Sequence, residues 1–111
     1  MTDRSPPQRL SPGQIEQILA DFPDWRQRDG AFVRWYRFAD FRQAMRFVAD
    51  VADLAEAHQH HPDWSNRYAR VEIAWTTHDQ GGVTDLDVAM LRACEALART
   101  HEARDEGPSA H

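Results

Sequence analysis

Apolar side chains recur every three or four residues in three stretches of the chain, which is the spacing of an α-helix with one buried face. The first stretch begins at Ser11 and Pro12, where the serine can cap a helix and the proline suits its first turn. The second stretch, about 40–58, is the longest, and Asp40 is well placed to cap it. The third follows Thr84, which can cap it in the same way. The pattern therefore predicts three amphipathic helices whose apolar faces share a core.

Four shorter stretches between these helices have the character of β-strands. Residues 25–28 and 31–38 are joined by an Asp-Gly pair at 29–30, which is a strong signal for a tight hairpin turn. Residues 64–68 form a third short strand, and residues 71–77 alternate apolar and polar side chains as a half-buried antiparallel strand does. The predicted order is α-β-β-α-β-β-α. This order favours an α+β two-layer sandwich, in which the helices cover one face of a four-stranded antiparallel sheet.

The second predicted strand has large side chains on both of its faces. One face carries Phe32, Arg34, Tyr36 and Phe38. Trp35 lies on the other face, between Val33 and Arg37. An outward tryptophan and unpaired edge strands both need to be covered by other parts of a protein. We therefore expect a homodimer or a homotetramer.

Length and polarity divide the chain into three parts. Its 111 residues suit a single domain. Residues 1–10 are polar and predict a flexible N-terminal arm, residues 11–100 form the domain, and residues 101–111 predict a frayed polar tail. No apolar run reaches the ~20 residues of a membrane helix, and no apolar stretch of a secretory signal follows the first arginines. We therefore expect a cytoplasmic protein that has no membrane partner.

Composition excludes several kinds of chemistry. The formal net charge of −5 argues against a direct nucleic-acid partner for the domain as a whole. All 13 basic residues are arginines, so neither a lysine Schiff base nor a lysine general base is available. Cys94 is the single cysteine, which excludes an internal disulfide and a cysteine-based zinc site.

Four of the six histidines lie near the ends of predicted elements. His58, His60 and His61 precede Pro62 at the end of the long helix, and His78 follows the alternating strand. A zinc site fits these spacings poorly, because adjacent histidines diverge and a separation of two residues does not place His58 and His60 on one helix face. Two interpretations remain from the residues alone: surface histidines in polar turns, or proton-transferring groups that loops present.

The residues around these histidines form a longer pattern. Its members are Glu56, His60, His61, Pro62, Trp64, Tyr68, Thr77, His78, Gly82, Val83, Thr84 and Asp87. This pattern resembles that of the pterin-4a-carbinolamine dehydratase family. The aromatic strand that runs into Phe38 and Phe41, followed by Ala44 and Phe47, is also similar to that family. The resemblance covers about residues 11–100, and the predicted elements have the order of that family's fold.

The resemblance implies a dehydration reaction. The family removes water from 4a-hydroxytetrahydropterin, the adduct that aromatic amino acid hydroxylases leave, and returns quinonoid dihydropterin for recycling. The neighbouring nitrogen can expel the hydroxyl group once that group is protonated. One acid and one base that titrate near neutral pH therefore suffice, and histidine is such a group. The resemblance implies a pterin substrate, with no metal and no other cofactor.

The resemblance also assigns roles to individual residues. The implied catalytic residues are His60, His61 and His78. Of these, His61 and His78 transfer protons, while His60 hydrogen-bonds or orients the leaving oxygen. Glu56 and Asp87 support the histidines. The residues implied to line the pterin are Gln59, His60, His61, Thr76, Thr77, His78 and Asp79. The sequence leaves open which histidine is the acid and which is the base.

Other interpretations are compatible with the same residues. Asp87 lies three residues after Thr84 and completes a capping box whatever the function. Glu56 lies at a helix end, where a carboxylate opposes the helix dipole. The family's fold also serves as a non-catalytic regulatory or assembly module, and its site would suit a pterin enzyme of molybdopterin metabolism. The presence of all three histidines favours the dehydratase.

Overall fold

The computed structural model describes residues 6–108, and the predictions for residues 1–5 and 109–111 lie outside that range. The described part contains three α-helices: α1 (Pro12–Asp21), α2 (Phe41–His58) and α3 (Asp85–Thr100). It contains five β-strands: β1 (Arg26–Arg28), β2 (Ala31–Arg37), β3 (Asp63–Arg67), β4 (Arg70–Trp75) and β5 (Arg104–Asp105). The predicted order α-β-β-α-β-β-α is confirmed, with β5 added after α3.

Local hydrogen bonds fix the start of each helix. At α1, the Ser11 hydroxyl accepts from the amide three residues further on, at 3.2 Å. At α2, the Asp40 carboxylate accepts from the Gln43 amide at 2.8 Å. At α3, the Asp87 carboxylate accepts from the Thr84 amide at 2.8 Å. Amides of the first turn, which have no partner inside a helix, are thereby satisfied.

The strands form one antiparallel sheet in the order β1-β2-β4-β3, and β5 pairs with the end of β2. Across the two central strands, Phe32 lies opposite Trp75 and Arg37 lies opposite Arg70. The sheet therefore has two distinct ends. The Trp75 end leads to His78, and the Arg70 end carries the turn between β3 and β4.

The helices cover one face of the sheet, as predicted. The main core cluster joins side chains of all three helices to one face of β2 and β4, and its sheet members include Phe32, Tyr36, Val71, Ile73 and Trp75. The opposite face has a small cluster formed by strand residues alone: Ala31, Val33, Trp35 and Ala74. Within residues 6–108, no helix is long and apolar enough to cross a membrane.

Trp35 lies on the outer face, where the alternation of the strand predicts it. Its side chain is nevertheless covered by its own chain, and Trp35 is only 6% exposed. The indole N–H donates to Glu72 at 2.8 Å, and the Arg28 guanidinium lies 5.7 Å from the ring centroid. The covering of Trp35 therefore does not require a second copy. Among the described residues, no strand pairs with the outer edge of β3, and the residues of β3 are all exposed. The oligomer therefore stays a prediction, for which this edge is the remaining reason.

The described ends of the chain, residues 6–10 and 101–108, form backbone hydrogen bonds with distant residues. The Leu10 amide donates to the carbonyl of Val83 at 3.1 Å, and the Gln8 carbonyl accepts from Asp85 at 3.0 Å. After α3, β5 pairs with β2, and the Glu106 amide donates to the carbonyl of Trp35 at 3.0 Å. These segments are polar, so their order comes from backbone pairing with distant residues, which local composition does not reveal.

A partly buried polar network at the margin of the core joins β2 to α3. The Glu95 carboxylate accepts from the Trp25 indole and from the Tyr36 hydroxyl, each at 2.8 Å, and pairs with the Arg34 guanidinium. Burial, helped by the nearby Cys94 and Glu95, raises the pKa of Tyr36. Burial also raises the pKa of the Cys94 thiol to about 12. Both groups are therefore neutral at ordinary pH, and the network acts as part of the core.

Candidate active site

The end of α2 directs the histidine segment towards α3. Gln59 follows the helix in the left-handed conformation, with φ 51° and ψ 40°. This conformation turns the chain sharply, and the His60 amide then donates to the carbonyl of Ala55 at 3.0 Å. The helix thus ends with a satisfied carbonyl, and the His60 side chain leaves the helix axis.

His60 is held by two neighbours. Its Nε2 lies 2.6 Å from Oδ1 of Asp87, and its ring stacks on Trp75 with centroids 5.8 Å apart and an angle of 20° between the planes. The His60 side chain is 11% exposed, and that of Asp87 is fully buried. A buried carboxylate accepts from Nε2–H, so the arrangement fixes the ring's orientation and leaves Nδ1 for another partner.

Asp87 is itself fixed by donors from two segments. Its second oxygen accepts from the Thr77 hydroxyl at 2.7 Å and from the Thr84 amide at 2.8 Å. The Thr84 hydroxyl lies at 3.3 Å from the same oxygen. The predicted capping box is therefore present, and the same carboxylate also holds His60. The two roles that the sequence left open for Asp87 coexist in one side chain.

His61 and Glu56 form a second pair, at the surface. His61 Nε2 lies 2.6 Å from the Glu56 carboxylate, and the two side chains are 60% and 73% exposed. Glu56 lies on the last turn of α2, so its carboxylate reaches past the helix end to the histidine. The family resemblance implied that Glu56 supports a histidine, and in the structure its carboxylate contacts His61.

His78 contacts a carboxylate that the sequence analysis missed. Its Nε2 lies 3.9 Å from Asp63 Oδ2, and the side chains are 81% and 77% exposed. Asp63 begins β3 and is two residues from His61, so His78 lies at the same end of the sheet as the other two histidines. This contact depends on the pairing of β3 with β4, and no local signal marks Asp63.

The remaining predicted site residues lie between these groups. Two of them use their side chains within the protein: Gln59 donates to the carbonyl of Glu56 at 3.0 Å, and Thr76 donates to the carbonyl of Gly30 at 2.7 Å. Asp79 is exposed in a single 3₁₀ turn at His78–Gln80. The exposed groups available to a ligand here are mainly imidazole rings and carboxylates.

His101, which the sequence placed in the polar tail, is fixed in the structure. Its Nε2 lies 2.6 Å from Asp50, and its Nδ1 lies 2.9 Å from the Gln43 amide nitrogen. This pair links α2 to the end of α3 and lies apart from the three histidines above. In the described range, no three His, Cys, Asp or Glu side chains are arranged to hold a metal ion.

Sequence comparison identifies the family to which these residues belong. The family model described as "Pterin 4 alpha carbinolamine dehydratase" matches residues 8–97. The chain belongs to this family. The pterin-4a-carbinolamine dehydratase match spans the three histidines, Glu56 and Asp87, and the resemblance seen in the sequence is thereby confirmed.

Relatives in the dehydratase family are similar over nearly their whole length. A protein of Thermomicrobium roseum, named "Putative pterin-4-alpha-carbinolamine dehydratase", is 46% identical over 90 residues, which cover 81% of this chain and 97% of the relative. A protein of Rhizorhabdus wittichii with the same name is 53% identical over 91 residues, which cover 80% and 94%.

Solved structures confirm the fold. A protein from Brucella melitensis, described as a transcriptional coactivator/pterin dehydratase, matches with a TM-score of 0.78 and 38% identity, over 82% of this chain and 99% of that one. A pterin dehydratase-like protein described as a RuBisCO assembly factor matches with a TM-score of 0.56 and 20% identity, over 67% and 86%. At that identity the second match concerns the fold alone.

Proposed function

We propose that this protein dehydrates 4a-hydroxytetrahydropterin to quinonoid dihydropterin and water. One observation carries the proposal: in a chain of the dehydratase family, His60, His61 and His78 lie at one end of the sheet, and each contacts a carboxylate. The proposed setting is the cytoplasm, where the reaction recycles the cofactor of aromatic amino acid hydroxylases.

The reaction needs two proton transfers. The bond from C4a to the hydroxyl oxygen breaks as that oxygen receives a proton, and N5 loses its proton as a double bond forms between C4a and N5. Water is the only other product, so no electron is gained or lost overall. The chemistry therefore requires an acid and a base, and it requires neither a redox cofactor nor a metal.

The different environments of the histidines support different roles. His60 is held by Asp87 and Trp75, which suits a ring that hydrogen-bonds and orients the leaving oxygen through Nδ1. His61 and His78 are mostly exposed, so they can exchange protons with the substrate and then with solvent. One positioned acid or base typically contributes ~10²–10⁴-fold to a rate.

The carboxylates and the binding residues complete the proposed site. Glu56 and Asp63 contact the proton-transferring histidines, and each can stabilise the protonated ring. Gln59 and residues 76–79 are proposed to line the pterin. Since the Thr76 hydroxyl is already hydrogen-bonded within the protein, Thr76 would contribute mainly through its backbone. The hydroxyl, amide and carbonyl of Thr77 are all hydrogen-bonded within the protein, so Thr77 would shape the site without donating to the pterin.

A stopped-flow assay with freshly generated 4a-hydroxytetrahydropterin tests the proposal. We expect His61→Ala and His78→Ala each to lower the dehydration rate by about 10²–10⁴-fold while the fold is retained. His58→Ala is the matched control, because His58 is also an exposed histidine at the end of α2. Undiminished dehydration in both site variants would overturn the assignment.

The same assay separates the dehydratase from its alternatives. The Brucella relative's description names a coactivator as well as a dehydratase, and a non-catalytic module of this fold would bind a partner without accelerating the reaction. A wild-type protein that leaves the spontaneous dehydration rate unchanged would favour such a module, or a pterin enzyme of molybdopterin metabolism.

A further inference from the structure

Two cavities lie at the end of the sheet opposite the three histidines. Their volumes are about 650 and 450 Å³, and both are bordered by the segment 37–39, so they adjoin each other. β3 runs from Asp63, near the histidines, to Arg67, which borders the smaller cavity. Five residues of strand at about 3.3 Å each separate the two ends by roughly 15 Å. We call the two adjoining cavities the arginine groove.

The arginine groove is strongly basic in an otherwise acidic protein. Four arginines border it, namely Arg37, Arg67, Arg70 and Arg104, and Glu102 is the one carboxylate in its lining. Glu106 lies 3.7 Å from Arg37 and 3.2 Å from Arg70. Arg67 and Arg104 have no ion-pair partner among residues 6–108. Two guanidinium groups therefore lack an ion-pair partner in the described range, and the other two share the single Glu106 carboxylate. In a chain whose net charge is −5, this local excess of positive charge favours an anionic ligand.

An exposed aromatic ring adjoins these arginines. Tyr68 lies at the turn between β3 and β4, borders the smaller cavity and is 71% exposed. Its φ is 50°, a left-handed conformation that is costly for a large side chain. The Asn66 side chain holds the turn by donating to the carbonyls of Tyr68 and Arg70, at 2.9 and 3.0 Å. The turn thus presents a tyrosine ring to solvent between two arginines.

We propose that the arginine groove binds a nucleotide, a planar heteroaromatic ring that carries phosphate groups. Guanidinium groups match phosphate oxygens in charge and geometry, and an exposed tyrosine face stacks on a planar base. The larger cavity has the volume of a small-molecule site. The negative net charge disfavours a long polyanion, so the assigned ligand is a free nucleotide and not a nucleic acid. This site is independent of the proposed dehydration, since it lies at the other end of the sheet.

Isothermal titration calorimetry of the full chain with ATP tests the site. We expect saturable binding that weakens as salt is added, because exposed charges are screened. Arg67→Gln and Tyr68→Ala should each weaken binding by about tenfold, and inorganic phosphate should bind more weakly than ATP because it has no ring to stack. Arg92→Gln is the matched control, since Arg92 is exposed on α3 and borders neither cavity.

Three results would overturn the proposal. The first is the absence of saturable ATP binding in low salt. The second is an equal loss of affinity in Arg92→Gln and Arg67→Gln, which would indicate a general charge effect. The third is a single-stranded oligothymidylate that binds more tightly than ATP, which would indicate a nucleic acid as the ligand. Thermal unfolding of each variant, expected to match the wild type because these side chains are exposed, shows that the fold is retained.

Discussion

Replacing Thr77 by valine tests how Asp87 is held. The Thr77 hydroxyl donates to the buried Asp87 carboxylate at 2.7 Å, and the residue is in an extended conformation that valine also adopts. A hydrogen bond to a charged group is worth about 1.5–3 kcal/mol. Since Asp87 keeps the Thr84 amide as a donor, we expect a loss of about 2 kcal/mol in the free energy of unfolding.

Thr76→Val is the matched control for this experiment. The Thr76 hydroxyl donates to the neutral carbonyl of Gly30, also at 2.7 Å, and a neutral hydrogen bond contributes about 0.5–1.5 kcal/mol. Urea unfolding of both variants measures the difference. If Thr77→Val is no more destabilising than Thr76→Val, the buried Asp87 carboxylate is not held as the structure indicates.

The same pair of variants connects stability to activity. Thr77→Val loosens the carboxylate that orients His60, so the kcat of this variant should fall, by no more than about 100-fold. Thr76→Val should retain near wild-type turnover. Because neither hydroxyl is proposed to touch the pterin, the KM should change little in both. A rise in KM with unchanged kcat for Thr77→Val would indicate that its hydroxyl binds substrate and does not position His60.

Four further outcomes follow from the structure. Glu95→Ala removes the carboxylate closest to the buried Arg34 guanidinium, while Asp24 and Asp105 remain 3.6 Å from it. The free energy of unfolding should therefore fall by about 1.5–3 kcal/mol in urea titrations, and an unchanged free energy would refute the role of Glu95. Burial raises the pKa of Cys94 from 9.0 to about 12, so the stability gained by keeping this thiol neutral is complete below pH 9 and is lost as pH rises towards 12. At pH 8, Ellman's reagent should therefore react with Cys94 only after unfolding. Rapid labelling of the native protein would contradict this. EDTA should leave dehydration unchanged, whereas inactivation that zinc reverses would show a metal requirement. Light scattering should give the mass of a dimer or tetramer, and a monomer at micromolar concentration would be inconsistent with the exposed edge of β3.

The sequence predicted the elements whose signals are local. The apolar periodicity and the Asp40 cap define α2, and the Asp-Gly pair at 29–30 defines the first hairpin, so both appear near their predicted bounds. β5 has no such signal, because its two polar residues are ordered only by pairing with Tyr36 and Arg37. β5 forms only because it pairs with a distant strand, and local residue propensities do not predict such pairing.

In the candidate site, too, some features were predictable from the sequence and others depend on tertiary contacts. The family resemblance pointed to His60, His61, His78, Glu56 and Asp87, and four of these five residues meet in two pairs at hydrogen-bond distance. The contact of His78 with a carboxylate at the start of β3 was not predictable, because it follows from the register of β3 against β4. The stacking of the His60 ring on Trp75 was not predictable either, because the two residues lie on different elements that only the fold brings together.

Histidine side-chain NMR during titration with dihydrobiopterin tests the central claim, that three imidazoles form one pterin site. We expect the ring signals of His60, His61 and His78 to shift together along a single saturation curve, while those of His58 and His101 stay in place. If only one of the three rings responds, or if His58 and His101 respond equally, then the three histidines do not share a ligand and the proposed dehydratase site is contradicted.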